Sequence, residues 1–175
     1  GLLRLSILNQ PLHQTMSTKP IPEGYHSVTP SITPHDASAA IDFYKRALGA
    51  VELFRFDAPG DKIGHAEIRI GDSVIMLADE YPDMGYRGPQ STGGSAVSLM
   101  VYVDDVDAQF TRAVEAGAKV RQELKDQFYG DRSGTIEDPF GHVWTIATHK
   151  EDLSSDEVMR RAQEYSRKAQ DEKRA

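Results

Sequence analysis

No cysteine occurs among the 175 residues. Disulfides, thiolate nucleophiles and cysteine-ligated metals are therefore excluded, and the chain suits a reducing cytoplasm. No apolar run approaches the roughly 20 residues needed to cross a bilayer. Positive charge is short as well: 20 Lys+Arg stand against 27 Asp+Glu, a formal net charge of −7. That balance disfavours nucleic acid and anionic membrane surfaces as partners and is compatible with an amine-rich or cationic ligand. The phosphate-cradling G-x-x-x-x-G-K-S/T, a G-x-G-x-x-G after a strand and a G-x-S-x-G elbow are all missing, so nucleotide hydrolysis, Rossmann-type cofactor binding and serine hydrolysis have no support.

What is present is a repeat. Around Asp36 the chain reads D-A-S-A-A-I-D-F-Y-K-R-A-L-G-A, and around Asp104 it reads D-D-V-D-A-Q-F-T-R-A-V-E-A-G-A. At one offset Asp36 aligns with Asp104, Ala40 with Ala108, Gly49 with Gly117 and Ala50 with Ala118. A fixed offset carrying the same helix twice implies two structural copies. In the first, a strand from about Ser27 to Thr33 leads into a helix begun by Pro34 and Asp36 and ended at Gly49, followed by strands at Val51–Phe56, Ile63–Ile70 and Ser73–Ala78. In the second, a strand at Ala96–Val103 and a helix at Asp105–Ala116 precede strands near Lys119–Glu123, Gly134–Glu137 and His142–Thr148. The expected fold class is α+β: two tandem βαβββ modules, about 25–80 and 95–148, forming a curved mixed sheet around a cleft, with a C-terminal helix added. The Gly- and Pro-rich stretch Asp79–Gly94 joins the halves and could cover the cleft as a flap.

Outside the modules, residues 1–23 read as an N-terminal arm. Met16 followed by Ser17-Thr18-Lys19 looks like a start, with upstream sequence before it, and Asn9, Gln10 and Pro11 spoil any secretory signal. In the segment 151–175, Ser154-Ser155-Asp156-Glu157 reads as a capping box in which Glu157 reaches back to Ser154. It opens a charged helix whose narrow stripe, Met159, Ala162, Tyr165 and Ala169, needs a surface to lie on.

The segments D-A-S-A-A-I-D-F-Y-K-R-A-L-G-A, H-A-E-I-R-I-G-D-S-V-I-M-L-A-D-E and G-D-R-S-G-T-I-E-D-P-F-G-H-V-W, spanning about Tyr25 to Thr148, resemble the vicinal oxygen chelate superfamily. That superfamily includes glyoxalase I, bleomycin-resistance proteins and extradiol dioxygenases, and the likeness is strongest to its PhnB-like group. The resemblance implies a metal-binding cleft with one ligand position on each of four strands and a chain that pairs as a homodimer. Mapped here, the metal positions are Thr29, Met76, Ser98 and Thr145. These are poor donors for Zn, Ni or Fe, so no metal and no cofactor is expected at the inherited site, and neighbouring registers supply no better set.

Strand alternation indicates what the cleft offers instead. Ser98, Met100 and Tyr102 should face it, with Leu99, Val101 and Val103 turned to the helices. Trp144 and Ile146 belong to the core, with Thr145 on the cleft side. On Ile63–Ile70 the apolar Ala66, Ile68 and Ile70 turn His65, Glu67 and Arg69 to the cleft. His65 then reads as a general base or ligand contact and Glu67 as its orienting partner or a counter-ion for a cation, the alternative being a cross-strand charge network at a sheet surface. The catalytic candidates are His65 and Glu67; the ligand-binding candidates are Arg69, Met76, Ser98, Met100, Tyr102, Thr145 and, from a loop at Phe128–Arg132, Tyr129 and Arg132. His13, His26, His35 and His149 are expected in solvent, and His142 beside the Asp138-Pro139-Phe140-Gly141 turn.

Two functions remain: a module that sequesters a small organic molecule, and a lyase, isomerase or dioxygenase that works without metal or with unusual ligands. The expected partners are a small-molecule ligand and a second copy of the chain, with neither nucleic acid nor membrane.

Overall fold

The structure, a computed structural model, describes residues 17–174. The start read at Met16, the histidine His13 and the residues before them lie outside the described residues. Strand β1 (Ser31–Ile32), helix α1 (Ala37–Leu48) and strands β2 (Val51–Ala58), β3 (Lys62–Ile70) and β4 (Ser73–Leu77) form the first module. A short helix α2 (Pro89–Thr92) lies in the connection. The second module follows as β5 (Ser98–Tyr102), α3 (Val106–Glu115), β6 (Lys119–Asp126), β7 (Asp131–Glu137) and β8 (Val143–His149), and α4 (Ser155–Arg174) closes the described chain.

The strands divide into two mixed four-stranded sheets, ordered β1-β4-β3-β2 and β5-β8-β7-β6, with the first strand of each module parallel to its neighbour. Each helix begins where an aspartate caps it: Asp36 accepts from the Ala39 amide at 2.9 Å and Asp105 from the Ala108 amide at 3.1 Å. Gly49, at φ 66°, ends α1 in the left-handed region that a side chain would disfavour. α1 buries Ala40, Ile41, Tyr44 and Ala47, and α3 buries Val106, Phe110 and Ala113. With Ile68, Leu77, Ile136, Trp144 and Ile146 from the sheets these make one continuous core. Gly134 belongs to this packing, since a Cβ there would meet the Phe110 ring at 2.4 Å.

Several element ends differ from the sequence reading. β1 is two residues long, because Pro30 has no amide hydrogen to offer a ladder and the Thr29 hydroxyl turns back to the His26 carbonyl. β6 runs on to Asp126, so β7 begins at Asp131 and absorbs two residues of the expected loop. Ser154 does cap α4, accepting from the Glu157 amide at 3.2 Å. The reciprocal half of the box is absent: the Glu157 carboxylate instead takes Arg160 and Arg161, cations on its own helix face.

Both connections are tied to the core by aspartates. Asp79 accepts from the Ala37 and Ile63 amides at 2.8 and 2.6 Å, holding the start of α1 to β3. Asp138 accepts from the Phe140 and His142 amides and from Trp144 Nε1, closing the turn before β8.

Candidate functional site

Each sheet lays one face on the helices and leaves the other open. Across the first sheet the register places Ser31, Met76, Glu67 and Phe54 in one cross-strand row, and His65 beside Phe56 in the next. The phenylalanines reach these positions through a β-bulge. Val51 opposes Arg69 and Glu52 opposes Ile68, but Leu53 is left over and Phe54 takes the place opposite Glu67. Regular alternation would have put Leu53 there and Arg55 opposite His65, which is why these two rings escape a reading of the sequence.

At the centre of the row His65 Nε2 lies 3.0 Å from Glu67 Oε1, and the Tyr25 hydroxyl donates to Glu67 Oε2. Tyr25 comes from the segment before β1, and nothing in the sequence pairs it with β3. The Tyr25 hydroxyl, and then His65, hold the Glu67 carboxyl below the usual carboxylate range, while the same hydrogen bond pushes the Tyr25 hydroxyl up. Glu67 is therefore a fixed anion whose side chain is only 17% exposed. Around it, Phe54 and Phe56 meet edge to face at 5.9 Å and stand 6.4 and 6.0 Å from the His65 ring. Both phenylalanines are half exposed among the described residues, leaving an apolar wall beside a carboxylate. Arg69 shares the face but stands in solvent opposite Val51.

On the second sheet Ser98, Met100 and Tyr102 occupy the open face of β5, and Thr145 stands beside Met100, its hydroxyl 3.0 Å from that of Thr135. Here a second cluster has formed. The Tyr102 hydroxyl donates to Asp131 Oδ2 at 2.9 Å, His149 Nδ1 lies 2.7 Å from Asp131 Oδ1, and His149 Nε2 lies 2.8 Å from Asp152. Asp131, and after it Asp152, pushes the His149 pKa up, and Asp131 raises that of Tyr102. His149 is exposed, as expected, but it is held between two carboxylates. It ends β8 directly opposite Asp131, a pairing visible only once β7 is known to begin there.

The expected loop site is not assembled. Arg132 projects to the helix side, paired with Asp107 at the start of α3 and with Asp126, because β7 already alternates at this position. Tyr129 stacks edge on against Phe128, whose ring packs on Tyr165 of α4, so this corner is a seat for the C-terminal helix. His142 flanks its turn as expected and is buried there.

Of the four positions that the resemblance assigns to metal, Met76 lies in the first sheet and Ser98 and Thr145 in the second, with Thr29 just ahead of β1. Among the described residues no three His, Asp or Glu side chains are grouped to share a metal ion. A thioether and hydroxyls do not fit a zinc, nickel or iron centre. Among the same residues, no helix is long and apolar enough to cross a membrane.

The chain is 44% identical over 139 residues to an uncharacterized protein of Mycobacterium bovis, covering 75% of this chain and 91% of that one. Among solved structures it resembles TioX from Micromonospora sp. ML1, at 27% identity and a TM-score of 0.57 over 74% of this chain and all of that one. It also resembles TnmS3, described as an antibiotic binding protein from Streptomyces sp. CB03234, at 25% identity and a TM-score of 0.56 over 71% and 96%. Residues 25–146 match the Glyoxalase/Bleomycin resistance protein/Dioxygenase superfamily, the span that holds both repeats and both open faces, and the chain belongs to that family.

Proposed function

We propose that this protein binds and sequesters a small planar molecule carrying a positive charge, without metal, on the open face of its first sheet. The observation that carries this reading is the Glu67 carboxylate, kept ionised by Tyr25 and His65 beside the uncovered rings of Phe54 and Phe56. An anion at the foot of an aromatic wall offers a cation both a counter-charge and ring faces. The antibiotic-binding description of TnmS3 supports a binding role, and the quoted segments support a place in the PhnB-like group. Met100 and Tyr102, half exposed on the second sheet, would meet the first sheet of another copy, so that a homodimer closes the cleft and brings Ser98 and Thr145 to the ligand. Native mass spectrometry of protein purified without chelators, with a screen of planar cations, tests this. A bound organic mass that Glu67→Gln abolishes is expected; binding indifferent to that substitution would overturn the reading.

One observation favours a second reading. Glu67 holds His65 through Nε2, while Nδ1 makes no hydrogen bond among the described residues, so the imidazole is oriented as a general base would be. A metal-free lyase or isomerase would use it to take a proton from a bound substrate, with the Tyr25–Glu67 pair stabilising the imidazolium. Turnover lost in His65→Ala with ligand affinity retained would move the assignment to catalysis.

A further inference from the structure

We propose that the cavity at the seam between the two modules is a separate ligand site that takes a small oxyanion, a carboxylate or a phosphate monoester. Its volume is about 360 Å³, and it shares Ser31 with the cleft row but is not lined by Phe54, Phe56, His65 or Glu67. Its walls come from β1 and the residues flanking it, from the connection carrying Arg87 and Thr92, from the start of β5, and from the turn that presents His142. No aspartate or glutamate lines it, although the chain has 27 of them and a formal net charge of −7. Its ionisable lining residues are Arg87 and His142.

Among the described residues neither side chain meets a hydrogen-bond partner, and the one ion pair is the long contact of His142 with Asp138. Arg87 is exposed and pairs with no carboxylate among the described residues, unlike Arg55, Arg121, Arg132, Arg160 and Arg161. His142 is 7% exposed, and its Nδ1 is buried without a hydrogen-bond partner. The carboxylate oxygen near it, Asp138 Oδ2, is 3.7 Å away and already accepts from Tyr44 and Trp144. A buried polar group left unsatisfied is uncommon in a native fold, and a site for a ligand is one of its ordinary explanations.

Close backbone contacts hold the two residues in place. Gly88, next to Arg87, donates to Glu80 at 2.6 Å, and its Cα packs so close to the Thr33 carbonyl that a Cβ would lie 2.2 Å from that oxygen. Gly141, next to His142, sits at φ 89°, and a Cβ there would meet Pro89 at 2.8 Å. The planar guanidinium of Arg87 matches the paired oxygens of a carboxylate or phosphate, and the imidazole supplies a second, directional contact.

The test is an amide NMR titration of the full chain with inorganic phosphate, with acetate and with chloride as the ionic-strength control, following Arg87, Gly88 and His142. Saturable shifts with phosphate or acetate but not chloride are expected, weakened roughly tenfold or more by Arg87→Gln and unchanged by Glu67→Gln in the cleft. His142→Asn should weaken binding similarly; if that variant fails to fold, the exposed Arg87 decides alone. Saturation by phosphate only identifies a phosphate monoester site, and saturation by acetate only a carboxylate site. Equal response to chloride, no saturation by either oxyanion, or parental affinity in Arg87→Gln would overturn the proposal.

Discussion

The Tyr44 hydroxyl donates to Asp138 Oδ2 at 2.5 Å, joining the helix of the first repeat to the turn of the second. Both residues are buried, and burial together with the Asp138 charge pushes the Tyr44 hydroxyl well above its ordinary range. The Tyr44 ring also packs on Trp144 at 5.4 Å, whose indole shares the same carboxylate oxygen. The two modules are thus held by one buried polar junction within an apolar core.

Tyr44→Phe keeps the ring and removes the donor, leaving a buried carboxylate short of one partner. A loss of about 1–3 kcal/mol in urea unfolding is expected, with Asp138→Asn costing at least as much because it disturbs all four bonds to the carboxylate. Parental stability in Tyr44→Phe would show that water replaces the hydroxyl.

Glu67→Gln should reduce affinity for the cleft ligand by about 2–5 kcal/mol, the cost of losing a desolvated charged contact. Its effect on stability should be nearer ~1 kcal/mol, since the amide can still meet Tyr25 and His65. Calorimetric titration beside thermal melting separates the two. A large stability loss with unaltered affinity would make the His65–Glu67 row a structural network.

Stability should depend on His149 with a defined sign. Its pKa is raised above the ordinary 6.5 by Asp131 and Asp152, so the folded state binds the proton more tightly than the unfolded chain. The contribution is present in full below 6.5 and is lost as the pH climbs through the raised folded value. Melting temperature measured across that range should fall in the parent and stay flatter in His149→Gln.

Removing residues 155–175 should lower stability without abolishing dimerisation. The first turns of α4 rest on their own domain, through Tyr165 on Phe128 and Arg161 bridging to Glu151, whereas the proposed dimer uses the open sheet faces. Light scattering and melting curves check both halves of the expectation. A monomeric truncated chain would reassign α4 to the dimer seam.

Elemental analysis should find no stoichiometric Ni, Zn or Fe, and the methylglyoxal–glutathione hemithioacetal should not be converted, because Thr29, Met76, Ser98 and Thr145 lack imidazole or carboxylate donors. Activity removed by a chelator and restored by metal would contradict this.

The repeat, the two aspartate-capped helices and the alternation on β3 and β5 were legible without coordinates, because each depends on neighbours within a few positions along the chain. Period-two alternation alone puts His65 and Glu67 on the face opposite Ala66 and Ile68. The other members of that site were not legible. Phe54 and Phe56 arrive through an unpaired Leu53, and a one-residue bulge reverses the face of everything beyond it. Tyr25 reaches Glu67 across 42 positions, and His149 meets Asp131 because β7 starts earlier than its composition suggests. Arg132 pairs with Asp107 for the same reason, since inclusion in the strand turns it to the helix side. Local patterns therefore determined the modules and the direction of the main polar row. Strand register and long-range contact, which depend on where the whole chain packs, decided what surrounds that row and which arginine and histidine remain without partners at the seam.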